Sequence, residues 1–101
     1  MKNKVFIKLI VPELDSSFDL FLPVNEVIWK IKKMLAKCVS DLSSQALDFN
    51  LEYNLINKNT GKVYDNNEIV IDTDIRNATE LLLLSVKDSK TNSILGGVNQ
   101  V

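Results

Sequence analysis

The chain has 101 residues, the size of one domain. Its 12 basic and 13 acidic residues leave a net charge of −1, so it lacks the basic surplus that a general nucleic-acid binder needs. It has one cysteine and no histidine, which excludes an intramolecular disulfide and removes the usual general base. No apolar run approaches the roughly 20 residues of a membrane-spanning helix, and Lys8, Glu13 and Asp15 interrupt the segment where a signal peptide would lie. We therefore expect a cytoplasmic protein that does not insert into a membrane.

Two strands are predicted before the first helix. Residues 5–11 alternate between two faces, and Pro12 ends the run because proline cannot donate to a strand ladder. Residues 18–22 alternate in the same way and end at Pro23. The short connection between the two runs favours an antiparallel hairpin.

A helix is predicted over residues 25–39, with Asn25 as its N-cap. At 100° per residue, an apolar stripe lies within about 60° of Ile31. Trp29 falls almost opposite the stripe. Four lysines lie on the flanks and back of the helix, and we expect them to form a solvated face: Lys30, Lys32, Lys33 and Lys37.

Three further strands are predicted over residues 51–57, 62–65 and 81–86, with strong turn residues between the first two. The unbroken leucines of the last run favour a central strand with apolar side chains on both faces. The intervening segment, 70–78, is irregular, with Ile75 as its expected core anchor. Residues 1–86 therefore form the predicted domain, and residues 87–101 a flexible tail.

The predicted architecture is an α+β domain. Its mixed sheet has about five strands in the chain order ββαβββ, and one main helix packs on one face of the sheet. The other face has no second layer to cover it.

This order of elements resembles the ubiquitin-like β-grasp fold. The resemblance covers roughly residues 4–86. It is carried by an ordered series of positions in both halves of the chain: Phe18, Leu20, Leu22, Ile28, Ile31, Leu35, Gly61-Lys62, Tyr64-Asp65, residues 69–72, Ile75 and residues 79–83.

Within that superfamily the chain resembles the YukD/EsaB family of bacterial type VII secretion systems. The carriers are the phrase FDLFLP at residues 18–23, leading into an apolar helix, and the absence of a conjugation tail directly after the last strand. Members of that family are similar to the ubiquitin-like domain of the membrane protein EccD. The resemblance implies a non-enzymatic cytoplasmic component or regulator, with membrane or ATPase components of the secretion system as partners and without a cofactor.

The candidate binding residues lie on two surfaces. Apolar side chains on the uncovered sheet face resemble the patch through which ubiquitin binds most partners, and such patches usually mark interfaces. Self-association as a homodimer, or cover by the tail, would also bury them. Trp29 is either an aromatic anchor for a partner or packs under the loop predicted at residues 40–50 or under the tail. The full candidate set is Phe6, Ile10, Phe21, Trp29, Ile56, Leu82 and Leu84.

Other features have plainer interpretations. Cys38 lies on the apolar stripe and is interpreted as a core thiol. The acidic segments 65–68 and 72–74 lack the spacing of a calcium loop and are interpreted as turns, so no metal site is predicted.

Two alternative functions stay open. Gly96-Gly97 resembles the end of a conjugated ubiquitin-like modifier, but four residues follow it and a protease would have to remove them. The other alternative is a β-grasp adaptor of another pathway that pairs through an exposed strand edge.

Overall fold

A computed structural model describes residues 3–43 and 52–86 of the chain. The strands, the helix and two short 3-10 turns are β1 (Lys4–Val11), a turn at Pro12–Leu14, β2 (Ser16–Pro23), α1 (Ile28–Leu42), β3 (Tyr53–Asn57), a turn at Val70–Asp72 and β4 (Glu80–Ser85). The sheet has the strand order β2-β1-β4-β3. The outer pairs are antiparallel and the central β1–β4 pair is parallel, which confirms the predicted mixed sheet with one helix.

The predicted strand at residues 62–65 is a single bridge, between Val63 and Ile56, and not a ladder. Gly61 has a φ of +77°, a conformation that suits glycine at the end of a tight turn. The chain returns beside β3 only briefly, because it enters the next turn at Asp65, whose carbonyl accepts from the N–H of Glu68 at 3.1 Å. The described sheet therefore has four strands where about five were predicted.

The helix begins later than predicted, and Asn25 does not cap it. Val27 is the N-cap and makes no side-chain hydrogen bond to the helix. Instead, the N–H groups of Ile28 and Trp29 donate to the carbonyls of Glu68 and Asn66, at 2.8 and 3.1 Å. A distant turn thus satisfies backbone donors that a side chain usually satisfies.

The buried side of α1 is rotated from the predicted stripe. Ile28, Ile31 and Leu35 are fully buried, as expected. Met34 and Cys38, which were placed on the stripe, are only half-buried, whereas Lys32 and Ala36 are buried. The side of the helix nearer to β3 is therefore more deeply buried than the apolar pattern of its sequence indicates.

The core lies between α1 and the sheet face that it covers. On that face the leucine and isoleucine side chains of all four strands are deeply buried, apart from Leu20 at the β2 edge, which is half-buried. Ile75, only 1% exposed, joins them, which confirms it as the anchor of the irregular segment. β4 occupies a central position, as its leucine run predicted.

The tail predicted at residues 87–101, with Gly96-Gly97 and Ile94-Leu95, lies outside the described residues. Within the described part of the chain, no helix combines the length and the apolar character needed to cross a membrane.

Candidate protein-binding site

The sheet face turned away from α1, called the open face below, is the candidate binding surface. It carries the alternate residues of each strand, and no described helix or strand packs against it. Phe6 is 43% exposed and Phe21 is 59% exposed on this face. Large apolar side chains at this exposure are typical of surfaces that bind other proteins.

An apolar row crosses the open face from strand to strand. Ile10 lies opposite Leu82, which lies opposite Ile56. Ile56 in turn pairs with Val63, which is 49% exposed. The structure thus brings three of the predicted residues into one continuous row, the apolar row, and extends it by Val63, which the sequence analysis did not include.

A charged row, which was not predicted from the sequence, runs beside the apolar row. Lys8 of β1 lies opposite both Asp19 of β2 and Glu80 of β4. Lys58, just after β3, places its Nζ 3.4 Å from a carboxylate oxygen of Glu80. Across the strand order β2-β1-β4-β3, the charges of Asp19, Lys8, Glu80 and Lys58 therefore alternate in sign.

The charged row separates the other predicted residues. Phe6 and Phe21 lie opposite each other on one side of it, with ring centroids 4.8 Å apart and the rings tilted by 57°, a favourable aromatic geometry. Leu84 lies on the far side of the apolar row, opposite Asn54. The open face is therefore two apolar areas divided by charge, and not the single apolar patch that was predicted.

A shallow depression of about 460 Å³ lies on the open face. Residues of β1, β2 and β4, together with Lys58 just after β3, line it, and they include Lys8, Ile10, Ser17 and Glu80. The surface therefore offers a concave, partly charged area next to the exposed phenylalanines.

Trp29 lies on a different surface, on the helix layer. It is 40% exposed, in agreement with its predicted place opposite the buried stripe. The ammonium groups of Lys30 and Lys33 both lie 5.5 Å from its ring centroid, within cation–π distance. Trp29 also borders a cleft of about 740 Å³ that extends along α1 past Lys37 to Tyr53. Trp29 therefore cannot share one flat interface with the open face.

Lys32 contradicts the prediction of four solvated lysines. Its Nζ is buried and donates to the carbonyl of Tyr53 at 2.7 Å. Burial lowers the pKa of Lys32, and the charge of Glu52 opposes that shift. The lysine side chain therefore ties α1 to the start of β3, with its apolar stem packed and its polar end satisfied.

A polar cluster fixes the far end of β3. The buried Tyr64 hydroxyl donates to a carboxylate oxygen of Asp74, and the Nδ2 of Asn57 donates to that hydroxyl at 3.2 Å. Burial, helped by the hydrogen bond to Asp74, raises the pKa of Tyr64 to about 12. This cluster holds the turn that places Lys58 and Val63 at the edge of the open face.

The 65–68 turn is fixed by a second carboxylate. Glu68 accepts from the N–H of Asp65 at 2.8 Å and lies 3.2 Å from the Nζ of Lys62. The hydrogen bond from Asp65 lowers the pKa of Glu68, and Lys62 contributes in the same direction. Both acidic segments thus act in turns: the Thr73 N–H donates to the Val70 carbonyl at 3.0 Å in the second one.

The described residues bring no reactive group together. Cys38 is half-buried, and no three histidine, cysteine, aspartate or glutamate side chains within ranges 3–43 and 52–86 are grouped so as to hold a metal ion.

Comparison with protein-family models and with curated protein sequences finds no match. Solved structures do match. The ubiquitin-like domain of Plasmodium falciparum Dsk2 is 15% identical, covers 81% of this chain and 97% of its own, and has a TM-score of 0.63. A Caldiarchaeum subterraneum ubiquitin is 13% identical, with coverage of 81% and 92% and a TM-score of 0.62. The fold is therefore that of the ubiquitin-like β-grasp domains.

A third solved structure is a chain of an ESX-5 inner membrane complex. It is 12% identical over 94% of this chain, with a TM-score of 0.62, and the match covers 27% of that chain. The present chain thus spans about a quarter of the length of that protein. At these identities the likeness concerns the fold.

Proposed function

We propose that this chain is a non-enzymatic, cytoplasmic, ubiquitin-like component of a bacterial type VII secretion system that acts by binding other proteins through its open face. Membrane or ATPase components of the system are the proposed partners. The observation that carries the proposal is the apolar row of Ile10, Leu82, Ile56 and Val63, which crosses a face that no described helix or strand covers.

For the open face, a binding role is favoured over a purely structural role, because the fold does not require its side chains to be apolar. The core is already closed by α1 on the covered face, where Leu81 and Leu83 are fully buried. The exposed phenylalanines on the other side of the charged row add apolar area that would gain by leaving water. Contact with another protein is the simplest way to bury that apolar area.

Two findings support assignment to a secretion system. The phrase at residues 18–23 and the chain's element order resemble the YukD/EsaB family. In addition, the ESX-5 membrane-complex chain matches a larger share of this chain than the two ubiquitin-like domains do, 94% against 81%, and ESX systems are type VII systems. Binding, and not catalysis, fits a chain whose described residues bring no reactive groups together.

The proposal is tested by affinity capture from the native cells, followed by intact-mass analysis of the bait. We expect recovery of a membrane or ATPase subunit of the secretion system, without a covalent link and with bait mass unchanged through Val101. A bait that ends at Gly97 and appears in higher-mass adducts would support the modifier alternative instead.

Matched variants locate the contact. The double change Ile56→Ser with Leu82→Ser removes two members of the apolar row, and Trp29→Ala removes the aromatic group on the helix layer. We expect the first variant to lose the secretion subunit and the second to keep it. If both variants still bound the secretion subunit, the open face would not be the contact surface. Circular dichroism checks that both variants are folded.

A further inference from the structure

The order of charge signs along the charged row is self-complementary: each charge meets an opposite charge when the row faces its own reverse. In strand order, Asp19, Lys8, Glu80 and Lys58 read negative, positive, negative, positive. Read backwards, the sequence of signs is inverted at every position. A row with this property is complementary to its own reverse.

Two copies of the open face can meet in that reversed order. A twofold axis in the plane between two facing sheets, parallel to the strands and passing between β1 and β4, reverses the order of the strands. Asp19 then opposes Lys58 of the second copy, and Lys8 opposes Glu80. Every one of the four contacts pairs opposite charges, and the two symmetry-related halves make the same contacts.

The same operation also brings the central part of the apolar row against its own copy. An axis parallel to the strands leaves the position along each strand unchanged, so Ile10 opposes Leu82 of the second copy, and Ile56 opposes Ser17, the β2 neighbour of Ile10. Face-to-face sheets pack with their strand directions within about 30° of each other, and this axis gives such an alignment. The charge pairing and the Ile10–Leu82 contact therefore call for a single arrangement.

We infer that the open face binds a second copy of this chain in a face-to-face twofold dimer, with the charged row setting the register. The inference goes beyond the proposed function, because it concerns the isolated chain and holds whether or not a secretion subunit binds. If both are correct, the dimer and the partner compete for one surface.

The size of the face sets the strength of the dimer. Four strands roughly 4.8 Å apart, with about five residues each at about 3.3 Å per residue, give a face on the order of 20 Å by 17 Å. That area is smaller than the roughly 800 Å² per partner of a standard interface. The dimer is therefore weak, with a dissociation constant on the order of 100 μM to 1 mM.

Two single charge reversals test the register. In a dimer of Asp19→Lys, residue 19 opposes Lys58 and both contacts repel. In a dimer of Lys58→Asp, residue 58 opposes Asp19 and both contacts repel again. Juxtaposed like charges are costly at an interface, so we expect each variant alone to dimerise at least about tenfold more weakly than the wild type.

Mixing the two variants restores every contact. The new lysine at 19 meets the new aspartate at 58, and the unchanged Lys58 of one variant meets the unchanged Asp19 of the other. We expect the equimolar mixture to form a heterodimer with a dissociation constant within about threefold of that of the wild-type dimer. This rescue depends on the reversed register, which distinguishes it from a general effect of net charge.

The experiment is sedimentation velocity of the full chain, over a hundredfold range of concentration up to about 2 mM, for the wild type, each variant and the mixture. Circular dichroism confirms that the variants fold. Weak wild-type dimers, monomeric single variants and a rescued mixture support the inference. A wild type that stays monomeric throughout, single variants that dimerise as the wild type does, or a mixture that stays monomeric would each overturn it.

Discussion

The two faces of one sheet differ in burial and in residue pattern, although the same strands build both. On β4, Leu81 and Leu83 are fully buried against α1, whereas Leu82 between them is half-buried on the open face. On the covered face the residues opposite one another are mostly apolar, and the polar exceptions, Ser16, Asn57 and Ser85, lie at strand ends. On the open face they alternate between apolar and charged rows. Burial therefore explains the pattern of one face, and we propose recognition as the reason for the pattern of the other.

The largest expected effect is on the free energy of unfolding, and it distinguishes two neighbouring leucines of β4. Leu83→Ala leaves a cavity in the core and should lower the free energy of unfolding by about 2–5 kcal/mol. Leu82→Ala, one residue away on the open face, should cost about 1 kcal/mol or less but weaken binding. Urea denaturation of the two variants measures the difference, and equal losses would show that the open face also belongs to the core.

The next effect concerns two lysines on the helix. Lys32→Met keeps the apolar stem but loses the hydrogen bond that Nζ donates to the Tyr53 carbonyl. We expect a loss of about 1–3 kcal/mol. The control, Lys33→Met, changes an exposed lysine and should stay within about 0.5 kcal/mol of the wild type. A Lys32 variant as stable as the control would contradict the tie between α1 and β3.

Tyr64→Phe tests the polar cluster that holds the edge of the open face, with an expected cost near neutral pH of about 1–2 kcal/mol. Its pH dependence has a defined sign. An unfolded tyrosine loses its proton near a pKa of about 10, but Tyr64 in the folded chain holds its proton to a pKa of about 12.

The tyrosine contribution to stability is therefore fully present below pH 10 and is lost as the pH rises toward 12. The difference in unfolding free energy between the wild type and Tyr64→Phe should shrink over that range. Subtracting the variant removes the titration of the lysines, which both proteins share. A constant difference would show that Tyr64 titrates normally.

The smallest expected effect is on the helix layer. Trp29→Phe changes a side chain outside the core, so stability should change by less than about 0.5 kcal/mol. In the wild type, Trp29 emission should be red-shifted and quenchable by acrylamide, and it should stay so in the dimer, because the dimer buries the opposite layer. Protection of Trp29 from acrylamide on dimerisation would show that the dimer interface lies on α1 instead.

The sequence was sufficient for most of the fold because alternation and helical period report burial directly. The hairpin, the helix, the central leucine strand and Ile75 followed from these patterns. The cap of α1 did not follow, because carbonyls of the distant turn at residues 66–68 supply it. No local pattern around Asn25 indicates that a remote segment will take its role.

The candidate site was less predictable, since it depends on strand register. The apolar residues of the open face were found by alternation, but the charged row appears only when Asp19, Lys8 and Glu80 are aligned across three strands. Lys32 was missed for a related reason: a lysine flanking the apolar stripe is buried only if a carbonyl, here that of Tyr53, meets its amine. Pairing the predicted hairpin in its natural register would have revealed Lys8 beside Asp19.

The central claim is that the open face, and not the helix layer, contacts the partner. The most direct measurement is isothermal titration of the captured secretion subunit with the wild type, the Ile56→Ser and Leu82→Ser double variant, and Trp29→Ala. The account predicts that the double variant binds at least about tenfold more weakly and that Trp29→Ala binds within about twofold of the wild type. Wild-type affinity in the double variant, with loss of binding in Trp29→Ala, would contradict it.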